Sequence, residues 1–130
     1  LGAIVFNEPE KLEKLNQITH PRVMESFKES LREIRHTNPY AIVFLEIPLL
    51  YETRSERICD EVWVVWVDRE TQIERLMERN SYTREEAIMR IDAQMSLDEK
   101  ARMADVVLDN RGSLEETIRV ASNYYNNYTE

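Results

Sequence analysis

The chain is short of the residues that give small proteins covalent or metal-based support. A single cysteine, Cys59, excludes an internal disulfide framework and a cysteine-rich zinc site. With only two histidines beside it, no dedicated transition-metal centre is expected, and no residue is assigned as a metal ligand. Glycine occurs twice, Gly2 and Gly112, and proline four times, so the composition is neither fibrous nor that of a disordered segment. Positive charge is in deficit: 17 Lys and Arg face 25 Asp and Glu, a formal net charge of −8. That balance argues against broad binding to nucleic acid or to an anionic membrane surface. The longest apolar stretch, Ala41 to Leu50, is too short to span a bilayer. No signal peptide is visible, and a cytoplasmic location is expected.

What is present suits one α/β domain, or a domain with a small appendage. The 130 residues are 42% apolar, enough for a core. Thirteen of the 17 basic residues are arginine, whose planar fork of donors leaves room for a local phosphate-binding cluster. "NEPEKLEKLNQI" reads as a helix capped by Asn7 with Glu10 as its reciprocal partner, and Pro9 lies in its first turn. "THP" is expected to break it at Pro21. A second helix then carries Val23, Met24, Phe27, Leu31 and Ile34. "AIVFLEI" and "EVWVVWV" read as buried parallel strands, with "VVL" at Val106 to Leu108 as a shorter third. Helices follow at "RETQIERLMERN", "TREEAIMRIDAQM" and "SLDEKARM". The last two open on the capping pairs Thr83 with Glu86 and Ser96 with Glu99. A final helix is capped by Ser113 with Glu116, has Leu114, Ile118, Ala121 and Tyr125 as its inward face, and frays in the tail. Three greasy parallel strands leave open edges. The sheet therefore reads as incomplete, to be finished by a partner copy or by strands ahead of Leu1. The start "LGAIVF", without Met, carries the same expectation.

Glu46 interrupts the greasiest run, "FLEIPLLYE". In open α/β sheets ligands bind outside the carboxyl ends of the strands, and a carboxylate there can orient a magnesium-bound water, accept a proton or pair with an arginine. It can equally be an acid on a turn facing solvent. Arg90 and Gln94 are four apart and share a helix face, beside the apolar arc of Ala87, Ile88, Ile91 and Met95. Nearby glutamates could occupy these arginines, and Arg75 is expected to be structural. Trp63 and Trp66 face opposite sides of a strand, which fits packing better than base stacking.

Taken together, "ITHPRV", "IPLLYE", "QIERLMERN", "REEAIMRIDAQM" and "ADVVLDNRGSLEET" resemble the dephospho-coenzyme A kinase family, in family order and from Leu1 to about Ile118. The resemblance implies an α/β fold: a P-loop kinase-like three-layer parallel sheet, incomplete over these residues, with a helical substrate-binding segment and a helical lid. Residues 1–38 would form part of the CoA-binding domain, 39–68 core strands, 69–103 the lid helices, and 104–130 the last core strand and C-terminal helix. It implies ATP-dependent phosphorylation of the ribose 3′-hydroxyl of dephospho-CoA, with ATP and Mg2+ as cofactors. Glu46 and Arg90 would act in catalysis. Arg79, Arg90, Gln94, Asn110 and Gly112 would hold the nucleotide, and His20, Leu49, Leu50 and Glu52 the dephospho-CoA. Two departures stand out. The family's Gly-Lys-Ser/Thr phosphate loop, and the acidic residue after it that the resemblance implies as catalytic base, are missing from these residues, since neither glycine precedes a lysine, so the chain by itself is expected to be inactive. Glu46 stands where the family typically has Asp, one methylene shorter. A non-catalytic module that binds CoA or nucleotide is the alternative, with a kinase acting on nucleoside monophosphates as a third reading.

Overall fold

The computed structural model describes residues 1–129. The chain divides into two compact units, one from Leu1 to Ile58 and one from Cys59 onward.

In the first unit a single helical turn, α1 (Gly2–Val5), precedes the long helix α2 (Pro9–Thr37). Pro9 opens α2 at a position whose N–H has no helical partner to lose, and Lys11 pairs with the Glu8 carboxylate at 2.8 Å. Asn7 does not cap α2. Its Nδ2 donates to the Ala3 carbonyl at 2.6 Å and so closes α1 instead. The expected break at Pro21 does not occur either: the helix runs through it. Pro21 has no N–H for the Gln17 carbonyl, but a helix of 29 residues keeps its remaining bonds on both sides of that one loss. The two expected helices thus join into one, in which Leu12, Leu15, Met24, Phe27, Leu31 and Ile34 are half-buried, while Ile18 and Val23 beside Pro21 are exposed.

Ala41–Ile47 is not a strand, which corrects the expectation of three. Its apolar content is right, but a strand also needs a neighbour for its backbone donors and acceptors, and no described segment pairs with it. Ile42, Val43 and Phe44 are exposed accordingly. A short 3-10 turn at Ser55–Ile58 ends the unit.

The second unit is a parallel βαβ crossover. β1 (Trp63–Trp66) pairs with β2 (Val106–Asp109) in the register Trp63↔Val106 to Trp66↔Asp109. Between them lie α3 (Arg69–Asn80), α4 (Arg84–Asp92) and α5 (Leu97–Met103), and α6 (Leu114–Thr129) follows. Each start has a local cause. The carboxylate of Asp68 accepts from the Thr71 N–H at 3.0 Å, and the hydroxyls of Thr83 and Ser96 accept from the N–H groups of Glu86 and Glu99 at 3.2 Å. At α6 the pair is reciprocal: Glu116 N–H donates to the Ser113 hydroxyl, and Ser113 N–H to the Glu116 carboxylate. α3 ends at Ser81, whose φ of 55° is the left-handed conformation that closes helices.

Ile73, Ala87 and Ile91 form the core between α3 and α4, with Leu76, Met77, Tyr82 and Ile88 packed round them. Two bidentate ion pairs also tie these helices, Arg69 to Asp92 and Arg84 to Glu70. Of the expected inward face of α6, only Ala121 is half-buried. Leu114, Ile118 and Tyr125 are exposed; so are Tyr124 and Tyr128, which, four apart, meet the ring of Trp63 along one edge of the helix. Tyr128 also donates its hydroxyl to Glu61. These contacts keep the tail helical to Thr129, where fraying is expected from composition alone.

Candidate functional site

Because β1 and β2 are parallel, their carboxyl ends share one rim, the place where open α/β sheets bind ligands. Asn110, just past β2, donates its N–H to the Trp66 carbonyl at 2.8 Å and extends the ladder by one bond. Its side-chain oxygen accepts from Thr117 Oγ1 at 2.7 Å, which leaves the carboxamide NH2 as the donor end of the group. Arg111 folds back on Asp109: its backbone N–H and Nε reach Oδ1 at 3.0 Å and its Nη2 reaches Oδ2 at 2.7 Å. The same guanidinium lies 4.9 Å over the Trp66 ring, whose Nε1 donates to Asp98 on α5. The Arg111 fork holds the Asp109 carboxyl below its ordinary range. Asp68 is likewise lowered, chiefly by the Thr71 N–H.

Gly112 completes the turn. Its φ is not positive, so backbone freedom is not what the position needs. A Cβ there would lie 2.0 Å from Glu116 Oε2 and would displace the carboxylate that caps α6.

Arg75 reaches this turn from α3. Its two Nη groups donate to the carbonyls of Asn110 at 2.7 Å and Arg111 at 3.3 Å. No sequence signal announces this contact, because the partners lie 35 and 36 residues away. Asp68 is a different case, since an Asp directly ahead of a helix is a readable cap.

On the α3–α4 hairpin, Arg90 is half-buried with its guanidinium 4.4 Å over the Tyr82 ring. Arg79 is exposed and donates Nε to Asn80. Gln94 helps line a cleft of about 230 Å³, with Val67, Arg69, Gln72, Ile91 and Asp92 among its other walls. Burial on Ile91 and pairing to Arg69 fix that wall; the Arg69 hydrogen bonds lower the Asp92 carboxyl. In the first unit, Glu46 is exposed, so the carboxylate in the greasy run carries no burial cost. His20 is half-buried on α2. Leu49 and Leu50 are half-buried in the turns after Pro48, where their carbonyls accept from Thr53, and Glu52 is exposed.

Among the described residues no three His, Cys, Asp or Glu side chains gather into a cation site. The rim acids are engaged by Thr71 and Arg111, so these residues do not form a magnesium site by themselves. None of the described helices is long and apolar enough to cross a membrane.

The family model for dephospho-CoA kinase matches residues 1–116. This chain belongs to the dephospho-CoA kinase family. It is 51% identical over 117 residues to the dephospho-CoA kinase of Listeria monocytogenes serotype 4b, covering 90% of this chain and 58% of that protein. It is 50% identical to the dephospho-CoA kinase of Carboxydothermus hydrogenoformans, again over 90% of this chain but 56% of that one. The crystal structure of TT1252 from Thermus thermophilus superposes with a TM-score of 0.74 at 35% identity, covering 97% of this chain and 64% of TT1252. The chain thus spans less than two thirds of the length of these dephospho-CoA kinases. Its two-strand sheet, flanked by helices, is an incomplete form of the mixed α/β fold.

Proposed function

We propose that the full-length gene product transfers the γ-phosphoryl group of ATP to the ribose 3′-hydroxyl of dephospho-CoA, giving coenzyme A and ADP in the cytoplasm. The observation that carries this reading is the family match over residues 1–116. Residues 1–38 serve the CoA side, 39–68 the core, 69–103 the lid, and 104–130 the core again.

In this reading the turn at Asn110 and Gly112 packs on the nucleotide base. Arg79 and Arg90 place positive charge on the phosphate oxygens, where phosphoryl transfer gains most from fixed cations, and Gln94 adds a lid contact. His20, Leu49, Leu50 and Glu52 hold the dephospho-CoA. Glu46 acts in catalysis as a carboxylate that can orient a magnesium-bound water, accept a proton or pair with an arginine. Magnesium, when bound with the nucleotide, neutralises phosphate charge. A partner copy or a further segment completes the sheet.

The test is ADP release by the full-length protein with a panel of acceptors. Dephospho-CoA should support turnover and nucleoside monophosphates should not, while the 130-residue chain alone should release no ADP. Turnover with a nucleoside monophosphate in place of dephospho-CoA would overturn the reading. For Glu46, a Glu46→Gln variant should lose about 10²-fold or more in kcat at saturating ATP, dephospho-CoA and magnesium. An unchanged rate would remove Glu46 from the chemistry.

A further inference from the structure

We infer that Arg75 is a positioning residue for nucleotide selection. It acts by holding the Asn110–Gly112 turn in the one shape that can read a base. The inference rests on the proposal above that this turn is the base site. Four restraints meet there. The Asn110 N–H is bound to the Trp66 carbonyl, its side-chain oxygen to Thr117, and the Arg111 N–H to Asp109. The third also holds the Asn110 carbonyl, which is coplanar with the Arg111 N–H, but none fixes the direction of the Arg111 carbonyl. The Arg75 fork does, because it binds the two successive carbonyls of Asn110 and Arg111 from one rigid planar group.

A peptide plane whose carbonyl is held also has its following N–H held, since the two are coplanar. Arg75 therefore sets the direction of the Gly112 N–H and reinforces that of the Arg111 N–H, which Asp109 also holds. It also limits what those carbonyls offer a ligand, because one lone pair of each is already taken. A base at this turn meets the fixed Asn110 NH2 donor, which suits a ring nitrogen that accepts, as adenine N1 does, and repels a ring N–H, as at guanine N1, while the remaining carbonyl lone pairs can take an exocyclic amine. Arg75 also lies four residues before Arg79, on the same face of α3. The anchor to the base turn and the proposed phosphate arginine thus move as one rigid helix.

The experiment is steady-state kinetics of the full-length protein with ATP and GTP as donors, for the wild type and for Arg75→Ala, Arg75→Lys and Asn110→Ala. With Arg75→Ala, the KM for ATP should rise about tenfold or more, the size expected for losing charge-assisted bonds. The preference for ATP over GTP should shrink, while kcat at saturating ATP and the KM for dephospho-CoA stay within about twofold. Arg75→Lys, which keeps the charge but lacks the rigid planar fork, should recover only part of the ATP affinity. It also supplies the comparison if Arg75→Ala folds poorly. An equal fall in kcat with both donors and no change in KM or preference would overturn the inference, marking Arg75 as a general scaffold. If Asn110→Ala raises the KM for ATP and neither Arg75 variant does, the base site stands and the role of Arg75 fails. If Asn110→Ala leaves the KM for ATP and the ATP/GTP preference untouched, the base-site reading itself fails, and this inference with it.

Discussion

Replacing Arg90 with alanine in the full-length protein lowers kcat by at least about a hundredfold while the melting temperature shifts by no more than a few degrees. The rate argument is electrostatic. The transferring phosphoryl group spreads charge over its equatorial oxygens, and fixed positive groups stabilise that charge more in the transition state than in the ground state. The stability argument is structural. Arg90 contributes a stack on the Tyr82 ring at 4.4 Å, and such a contact is worth about 0.5–2 kcal/mol. The core beneath α4 is made by Ala87 and Ile91, which the substitution leaves in place. Rates at saturating substrates, set beside thermal melts, check both halves. Equal kcat in wild type and variant would reject a phosphate role.

Ile73→Ala has the reverse signature. Ile73 is 1% exposed and sits at the centre of the α3–α4 core against Ala87 and Ile91. Removing its branched side chain takes away the transfer free energy and leaves a cavity, costing about 2–5 kcal/mol, whereas Ile73→Val costs about 0.5–1.5. The loss should appear first as faster amide hydrogen exchange across residues 69–92, because a small hairpin held by one cluster opens as a local unit. The exposed ion pairs of Arg69 with Asp92 and Arg84 with Glu70 add little to offset it. Exchange rates in the hairpin equal to those of the wild type would show that the cluster does not hold α3 to α4.

Much of the second unit was readable because its causes are local. Thr83, Ser96 and Ser113 announce helix starts by chemistry that acts within one turn, and the runs around Trp63–Trp66 and Val106–Asp109 pair with each other. Errors arose where a distant partner decides. Ala41–Ile47 has the composition of a strand but no described neighbour to make it one. Pro21 is a local signal against helix, overruled by what flanks it. Which side of α6 finds a ring partner is set by where Trp63 lies: Tyr124 and Tyr128 meet it while staying exposed, and Leu114 and Ile118 are exposed as well.

The candidate site divides the same way. Asn110 and Gly112 are singled out by the family resemblance, since their residue types alone announce only a turn after a strand. The restraints that give the turn its shape could not be singled out: Arg75, Thr117 and the Arg111–Asp109 fork over Trp66 depend on approach in space. Arg90 was visible as a flank residue four from Gln94, but nothing in the spacing pointed to the Tyr82 ring it rests on.

The most direct test is the phosphorus-31 spectrum of the product formed by the full-length protein from ATP and dephospho-CoA. The account predicts one ADP per new phosphomonoester, with that phosphate coupled to the ribose 3′ proton. A spectrum with no such resonance, or with the phosphate at another position, would contradict it.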